Sequence, residues 1–305
     1  MVRQYRLPTD DLAQPYYIVW NLARFGLEYF DAEGVRSTGG TYNPVSIAQY
    51  GLYCYGELTA GNGALREPFF RQARFLRRYQ RQDGTLPYWN PFPRYHKDPP
   101  WISAMAQGEA ASLFLRAYSL TSERSYLDAA LLAAESLKVD VARNGASFIR
   151  GDAVFFEEIA SNEPAHILNG HLYAAFGVWE LCRFGFGDAD LLHLHDCAVK
   201  TLERWLHLFD ASDWSYYQLA RNGNGSRYYA PMNFHQYHIA QLYVLEAMTG
   251  MQVFGDYARR WHAGLNDAKL HLRVWIDAVR FFADAARRHL THSVDAWQPM
   301  SVPID

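Results

Sequence analysis

The sequence predicts an all-α protein that folds as an incomplete (α/α) toroid of helix hairpins. Three observations support this class: apolar residues recur with the helical period, short turns alternate with long loops, and a side-chain amide recurs once in every hairpin. With 305 residues, 50% of them hydrophobic, the chain can bury one large core, and no linker-like segment divides it. We expect one toroid domain over residues 44–305, on which residues 1–43 pack as an N-terminal extension.

Nine segments place apolar residues at spacings of three and four, which is typical of a helix with one buried face. These predicted helices are residues 44–58, 65–80, 102–120, 125–139, 166–184, 190–209, 234–249, 254–265 and 270–289. No comparable segment sustains the period-two alternation of a half-buried strand. The sequence therefore predicts helices in pairs, four hairpins and a last helix.

The connections differ in length in a regular way. Short turns at 59–63, 121–123, 185–188 and 249–250 join the two helices of each hairpin, and they contain Gly, Ser, Thr, Asn or Asp. Long segments at 82–100, 140–164 and 210–233 follow each second helix. Such alternation indicates stacked hairpins whose long loops emerge on one rim.

An amide recurs on the first helix of each hairpin, at Gln49, Gln107, Asn169 and Gln241. Each follows an apolar residue and a small or aliphatic one. First helices that line a ring are buried on nearly all sides, so a polar group there must find a partner. Two functions remain open for these amides: they bind a ligand at the axis, or they only tie helix ends to loops.

Composition narrows the class of protein. The three cysteines, Cys54, Cys182 and Cys197, form no CxxC pair, which favours a reducing, cytoplasmic compartment. The first residues contain no apolar signal segment, and no stretch approaches the ~18 apolar residues of a membrane span. A net charge of −3 argues against nucleic acid as a partner.

Four blocks resemble, in their order, the catalytic C-terminal domain of the D-glucuronyl C5-epimerases. They are YNPVSIAQYGL (42–52), WISAMAQGEAASLFLRAYSLT (101–121), FFEE with LNG following (155–158 and 168–170) and FHQYHIAQL (234–242). The resemblance covers roughly residues 42–261 and implies the (α/α) fold. This chain departs from the animal members of the family, which have a long β-rich insertion after the first block, because Leu52 here leads through a short turn into the next helix. It also implies inversion of C5 of glucuronate within an acidic polysaccharide, and a homodimer by analogy.

The chain departs from the family pattern at two tyrosines. Ile159 stands where the family has a tyrosine after the paired glutamates, and Phe234 stands where it has one before a histidine. A third family tyrosine matches Tyr217. Because two of three candidate acid/base phenols are replaced, inversion and elimination both stay open as the reaction.

Inverting C5 requires two acid/base groups on opposite faces of the sugar. The candidates are Glu158 and Tyr217, then His235, Glu157 and Tyr237. Burial among aromatic residues would raise the pKa of a glutamate here, as a base for this task needs. The two adjacent glutamates are alternatively an exposed loop pair, and the histidine alternatively bonds a loop carbonyl.

Arg221 is the candidate for the substrate carboxylate, because a guanidinium meets a carboxylate in a two-pronged geometry. Further predicted substrate-binding residues are Tyr42, Gln49, Trp101, Gln107, Asn169, Tyr229, Asn233, His238 and Gln241. For Trp101 and its loop, packing against the rim is the commoner explanation of the aromatic residues. Cys182, His193, His195 and Cys197 fit no common zinc spacing, so no metal is predicted. No phosphate loop or dinucleotide fingerprint is present, so no cofactor is expected.

Three functions follow from these observations. The first is a cofactor-independent uronate C5-epimerase that acts on an acidic oligo- or polysaccharide. The second is a lyase or a glycoside hydrolase on the same fold, because β-elimination begins with the same removal of the C5 proton. The third is a toroid that binds glycans without turning them over.

Overall fold

Eight α-helices pair as four hairpins along the residues that the computed structural model describes, which are 4–19, 29–221, 225–267, 270–272, 274–276 and 279. The helices are α1 (Pro44–Thr59), α2 (Arg66–Tyr79), α3 (Ala104–Thr121), α4 (Arg124–Glu135), α5 (Leu168–Arg183), α6 (Ala189–Trp205), α7 (Met232–Thr249) and α8 (Gln252–Gly264). The all-α prediction is confirmed. Residues 270–272, 274–276 and 279 are also helical, and the rest of the predicted helix 270–289 lies outside the described residues.

The first helices of the hairpins form an inner row in which α1 contacts α3, α3 contacts α5 and α5 contacts α7. Each second helix packs against its own first helix. Helices α3 and α5 are buried along most of their length, whereas α2 and α6 bury one face. Since hairpin partners are antiparallel, the inner helices all begin at one end of the molecule, where the long loops lie. No helix of the described residues is long and apolar enough to cross a membrane.

Helices α3 and α5 approach each other through two glycines. A Cβ added at Gly108 would lie 2.5 Å from the Cα of Ala174, and one added at Gly177 would lie 2.2 Å from the carbonyl oxygen of Gly108. These distances are far below van der Waals contact, so any side chain would force the helices apart. The glycine of the MAQG stretch is therefore explained by backbone packing.

A short β-hairpin, which the sequence did not predict, lies in the loop after α4. Strand β1 (Ser147–Arg150) pairs antiparallel with β2 (Ala153–Phe156) across a turn in which Gly151 adopts a φ of +55°. Every residue of β2 is buried, so it lacks the period-two alternation that marks a half-buried strand. The hairpin packs on α6 and α5 and leads directly into the paired glutamates.

Two predicted helices end earlier than their apolar pattern does. Helix α4 stops at Glu135 and a 3₁₀ turn follows over Ser136–Lys138, while α6 stops at Trp205 before a 3₁₀ turn over Leu206–Phe209. At the first site the Ser136 carbonyl accepts from the N–H of Ala146 (3.0 Å). The Ser136 carbonyl is therefore hydrogen-bonded to the segment that leads into the β-hairpin.

The segment 4–19 closes the end of the inner row opposite the long loops. The Tyr55 hydroxyl donates to the carbonyl of Ala13 (2.6 Å), and Arg116 Nε donates to the carbonyl of Gln14 (3.1 Å). Beneath this segment Arg116 forms a fully buried, two-pronged ion pair with Glu180, at 2.8 and 3.0 Å. This end of the toroid is therefore filled, and the rim of long loops is the end where a ligand can enter.

Candidate active site

Glu158 lies where three long loops meet, and its half-buried carboxylate is held from two sides. Asn169 Nδ2 donates to Oε2 (3.0 Å), and the Tyr217 hydroxyl donates to Oε1 (3.4 Å). Burial raises the pKa of Glu158 to about 7, against the lowering effect of both hydrogen bonds and of the positive charge of Arg94. A carboxyl group with this pKa can both remove and return a proton near neutral pH.

Strand β2 and the start of α3 hold the backbone of the paired glutamates. The Ala104 N–H at the start of α3 donates to the carbonyl of Glu157 (2.8 Å), and the Ala160 N–H donates to the carbonyl of Ile102 (3.2 Å). Gly170, on the first turn of α5, leaves the space that the Glu158 side chain occupies. A Cβ at Gly170 would lie 2.4 Å from the Cβ of Glu158 and 2.6 Å from its Oε2. In the LNG stretch, Asn169 thus donates a hydrogen bond to this carboxylate, and Gly170 leaves the space that it occupies.

Glu157 has a different environment from its neighbour. Its side chain is completely buried, Oε1 lies 2.6 Å from Nδ1 of His166, and Oε2 accepts from the His166 N–H (3.1 Å). Glu157 directly follows β2, whereas Glu158 lies in the bend that comes next, and the two carboxylates contact different partners. Glu157 ties the loop before α5 to the hairpin.

Tyr217 reaches the site from the loop between α6 and α7. The Tyr217 carbonyl accepts from the N–H of Leu168 (3.1 Å), and the Tyr217 N–H donates to the carbonyl of Tyr228 (2.8 Å). Its ring packs edge-on against Phe234, with centroids 5.0 Å apart. Burial, with the nearby charge of Glu158, raises the pKa of this phenol well above 10, so it is a neutral proton donor at neutral pH.

Arg94 was not predicted as a site residue, although it is the arginine of the aromatic loop at 82–100. It lies in a 3₁₀ turn (Pro93–Tyr95), and its guanidinium stands 4.7 Å from the ring centre of Tyr228 and 5.3 Å from that of Tyr95. Its charge acts on the pKa values of both Glu158 and Tyr217. The side chain is exposed on the rim, so Arg94 places positive charge beside the carboxyl–phenol pair.

Glu109 is a second residue that the sequence interpretation missed. It is fully buried on α3, and Gln49 Nε2 donates a short hydrogen bond to its Oε1. Burial raises its pKa well above the usual value, and the charge of Glu158 raises it further. The sequence signal was an acidic residue inside the apolar stretch AQGEAA.

The four repeated amides lie on the four inner helices and are all buried. In the orientation that satisfies its neighbours, Gln107 donates to the Gly84 carbonyl (3.2 Å) and accepts from the Leu86 N–H (3.0 Å). Gln241 Nε2 donates to the carbonyl of Asn169 (3.0 Å). Gln107 therefore ties a helix to a loop, as one interpretation of the repeat expects, whereas Asn169 holds the candidate catalytic carboxylate. Binding of a ligand by these amides stays a prediction.

The two histidines of α7 share one partner, Ser215, whose Oγ lies 2.8 Å from Nδ1 of both His235 and His238. His235 also stacks on Trp214 at 3.8 Å, and its Nε2 is 3.3 Å from the carbonyl oxygen of Trp261. Burial lowers the pKa of His235 to about 3, and that of His238 well below its usual value. Both rings are neutral and tie the loop to α7.

The remaining predicted residues are spread over the rim. Trp101 stacks on Tyr88 at 4.0 Å and donates to the carbonyl of Asn90 (2.8 Å), so its ring is packed in the loop. The other contacts are Tyr42 hydroxyl to Asp31 (2.8 Å), Tyr229 against Tyr216 (4.9 Å), Arg221 to the Gly225 carbonyl (3.0 Å) and Tyr237 against Phe234 (6.2 Å). Asn233 is exposed on the first turn of α7.

The fold and the carboxyl–phenol pair define a helical toroid protein with a candidate acid/base site on its loop-bearing rim. The family model described as D-glucuronyl C5-epimerase C-terminus matches residues 82–263, and the chain belongs to this family.

Two relatives and one solved structure are similar to this chain over more than half of its length. An uncharacterized protein of Methanocaldococcus jannaschii is 28% identical over 231 residues, which is 69% of this chain and 72% of that protein. The D-glucuronyl C5-epimerase of Caenorhabditis elegans is 27% identical over 181 residues, 53% of this chain but 28% of the epimerase. The unsaturated glucuronyl hydrolase of Bacillus sp. GL1 is similar in fold, with a TM-score of 0.52 and 17% identity over 73% of this chain and 62% of that one.

Proposed function

We propose that this protein is a cofactor-independent C5-epimerase of uronate residues in an acidic oligo- or polysaccharide. The observation that carries the proposal is the Glu158 carboxyl group, whose pKa of about 7 suits proton transfer at neutral pH and which Tyr217 and Asn169 hold in place. Membership of the epimerase family supports the same conclusion.

The reaction begins when the Glu158 carboxylate takes the proton from C5. That proton is weakly acidic while the sugar carboxylate is ionised, so positive charge must act on the developing enolate. Arg94 supplies it on the rim, and its charge already acts on Glu158. The inner helices also begin at this end, and the positive ends of their dipoles favour an anion.

Inversion then needs a proton delivered to the opposite face. Tyr217 is the donor that the site supplies, since its phenol is neutral at neutral pH. The Tyr217 oxygen is 3.4 Å from Glu158 Oε1, which leaves no room for a sugar carbon between them. Their hydrogen bond must therefore open when C5 enters, and the two groups then face each other across the ring.

The same 3.4 Å separation favours β-elimination as a second candidate. If the pair stays together on one side of the sugar, Glu158 removes the C5 proton and Tyr217 protonates the leaving oxygen at C4. The product then contains a C4–C5 double bond. Ile159 and Phe234, in place of two family tyrosines, are consistent with this alternative.

Incubation in deuterated water with glucuronate-containing heparan-type oligosaccharides separates the candidates. An epimerase incorporates deuterium at C5 and forms iduronate, both visible by NMR, whereas a lyase produces the ultraviolet absorbance of an unsaturated uronate. Glu158→Gln should abolish either reaction, while Glu203→Gln, on an exposed face of α6, should leave it unchanged. If neither product forms and the glycan still binds, the protein is a glycan-binding toroid and the proposal is wrong.

A further inference from the structure

Three metal-ligating side chains converge where the β1–β2 turn meets α6, away from the carboxyl–phenol pair. His193 and Cys197 lie one turn apart on α6, and Asp152 lies in the turn of the β-hairpin. One ligand atom from each residue lies within 4.8 Å of the other two. Asp152 and His193 are exposed, so an ion can reach the cluster from solvent.

The distance between the two helical ligands suits a tetrahedral ion. A zinc ion with a Zn–S distance of about 2.3 Å and a Zn–N distance of about 2.0–2.1 Å places sulfur and nitrogen about 3.5–3.6 Å apart. Cys197 Sγ and His193 Nε2 are 3.6 Å apart. A sulfur–nitrogen hydrogen bond has a similar length, so the carboxylate is the ligand that distinguishes a metal site from a simple pair.

Thr201 fixes the carboxylate-bearing turn against the helix. His193, Cys197 and Thr201 follow at intervals of four and form one stripe of α6. The Thr201 hydroxyl oxygen accepts from the Val154 N–H (2.9 Å), and the same hydroxyl donates to the carbonyl of Asp152 (3.4 Å). The turn is thereby anchored one helical turn from the thiol, and Asp152 is placed beside it.

We propose that Asp152, His193 and Cys197 bind a divalent metal ion of the zinc type, with water as the fourth ligand. Thiolate, imidazole and carboxylate together suit zinc or cobalt rather than calcium or magnesium. Binding releases the Cys197 thiol proton, since the thiolate is the ligand. The sequence did not predict this site because Asp152 is far from the other ligands along the chain. A bound ion would pin β1–β2 to α6, and β2 leads directly to Glu158.

Cobalt is the spectroscopic probe for the test. The full chain, reduced and stripped with a chelator, is titrated with Co²⁺ while visible d–d bands and the ultraviolet thiolate-to-cobalt band are recorded, and Zn²⁺ is then added as competitor. We expect one ion per chain, both bands, and displacement by Zn²⁺. Zn²⁺ should also raise the melting temperature, since it binds the folded state.

Matched variants assign the ligands. Cys197→Ser should remove the thiolate band, whereas Cys182→Ser should keep it. Asp152→Asn, in an exposed turn, and His193→Gln should each weaken Co²⁺ binding by at least about tenfold, with unchanged circular dichroism. Absence of the thiolate band in the parent protein at one equivalent of Co²⁺ would show that Cys197 and His193 form only a hydrogen bond there. Undiminished affinity in Asp152→Asn would show that Asp152 is not a ligand, and either result overturns the proposal.

Discussion

The Tyr217 hydroxyl donates a hydrogen bond to Glu158 Oε1 over 3.4 Å, although the two residues are 59 positions apart in the chain. Two long loops, one after β2 and one before α7, bring them together. The contact joins a carboxyl group whose pKa is about 7 to a phenol that stays neutral, and we propose this pair as the acid and base of the reaction.

Removal of either partner should stop the reaction. We expect Glu158→Gln and Tyr217→Phe each to lower kcat on a true substrate by at least about a hundredfold, the scale of a positioned acid or base. The double variant should lose little more than the worse single variant, because the two groups act as one unit. Single-turnover kinetics with a C5-deuterated oligosaccharide measure this, and an additive double loss would contradict the pairing.

His235→Ala should affect stability more than chemistry. The ring stacks on Trp214 and accepts from the Ser215 N–H, so its loss leaves a cavity and a buried N–H without this partner, while the Ser215 hydroxyl keeps His238. We expect the free energy of unfolding to fall by about 2–4 kcal/mol, and kcat to fall less than in Glu158→Gln. Urea denaturation measures the change in the free energy of unfolding, and steady-state kinetics measure the change in kcat. Full loss of turnover at unchanged stability would instead give His235 the acid/base function.

Gly170→Ala tests the space that Glu158 occupies. The added methyl group would lie 2.4 Å from the Glu158 Cβ, so the carboxylate must move. A displacement on the order of 1 Å lowers turnover about a hundredfold. Gly63→Ala is the matched control, since nothing lies within 4 Å of its added Cβ. Equal activity of the two variants would show that the position of Glu158 is not critical.

The raised pKa of Glu158 predicts how stability depends on pH. Because the folded-state pKa of about 7 exceeds the ordinary glutamate pKa of 4.5, protonation stabilises the fold. That contribution is fully present below about pH 4.5 and is lost as the pH rises through 7. Gln mimics the protonated group, so Glu158→Gln should melt higher than the parent above pH 7 and equally at pH 4.5. Asn169 Oδ1, which has no hydrogen-bond partner among the described residues, can accept from the new amide.

Separation of the Arg116–Glu180 pair should destabilise the closed end of the toroid. Both side chains are 1% exposed, so Glu180→Gln leaves a buried guanidinium without its counter-charge. We expect a loss of about 3–5 kcal/mol in the free energy of unfolding. Arg116→Met in the Glu180→Leu background should recover much of it. Denaturation in urea measures the single and the double variant, and an unchanged midpoint for Glu180→Gln would refute the expectation.

Periodicity in the sequence was sufficient to predict the eight described helices, their pairing and the side of the molecule that bears the long loops, because each inner helix repeats a local pattern. The sequence blocks around Trp101 and Glu158 were sufficient to identify the family. The β1–β2 hairpin was missed, since a strand buried on both faces has no alternation to detect.

What the sequence alone determined, then, is the helical toroid and its family, because helix formation and the burial of apolar faces depend on neighbours three and four residues apart. Only the tertiary structure decided which of two adjacent glutamates faces Tyr217 and which binds His166. It also decided that Arg94 stands beside the site and that Asp152 meets Cys197. These relationships join separate loops and elements, and no periodic pattern fixes where a loop returns until the inner helices have packed.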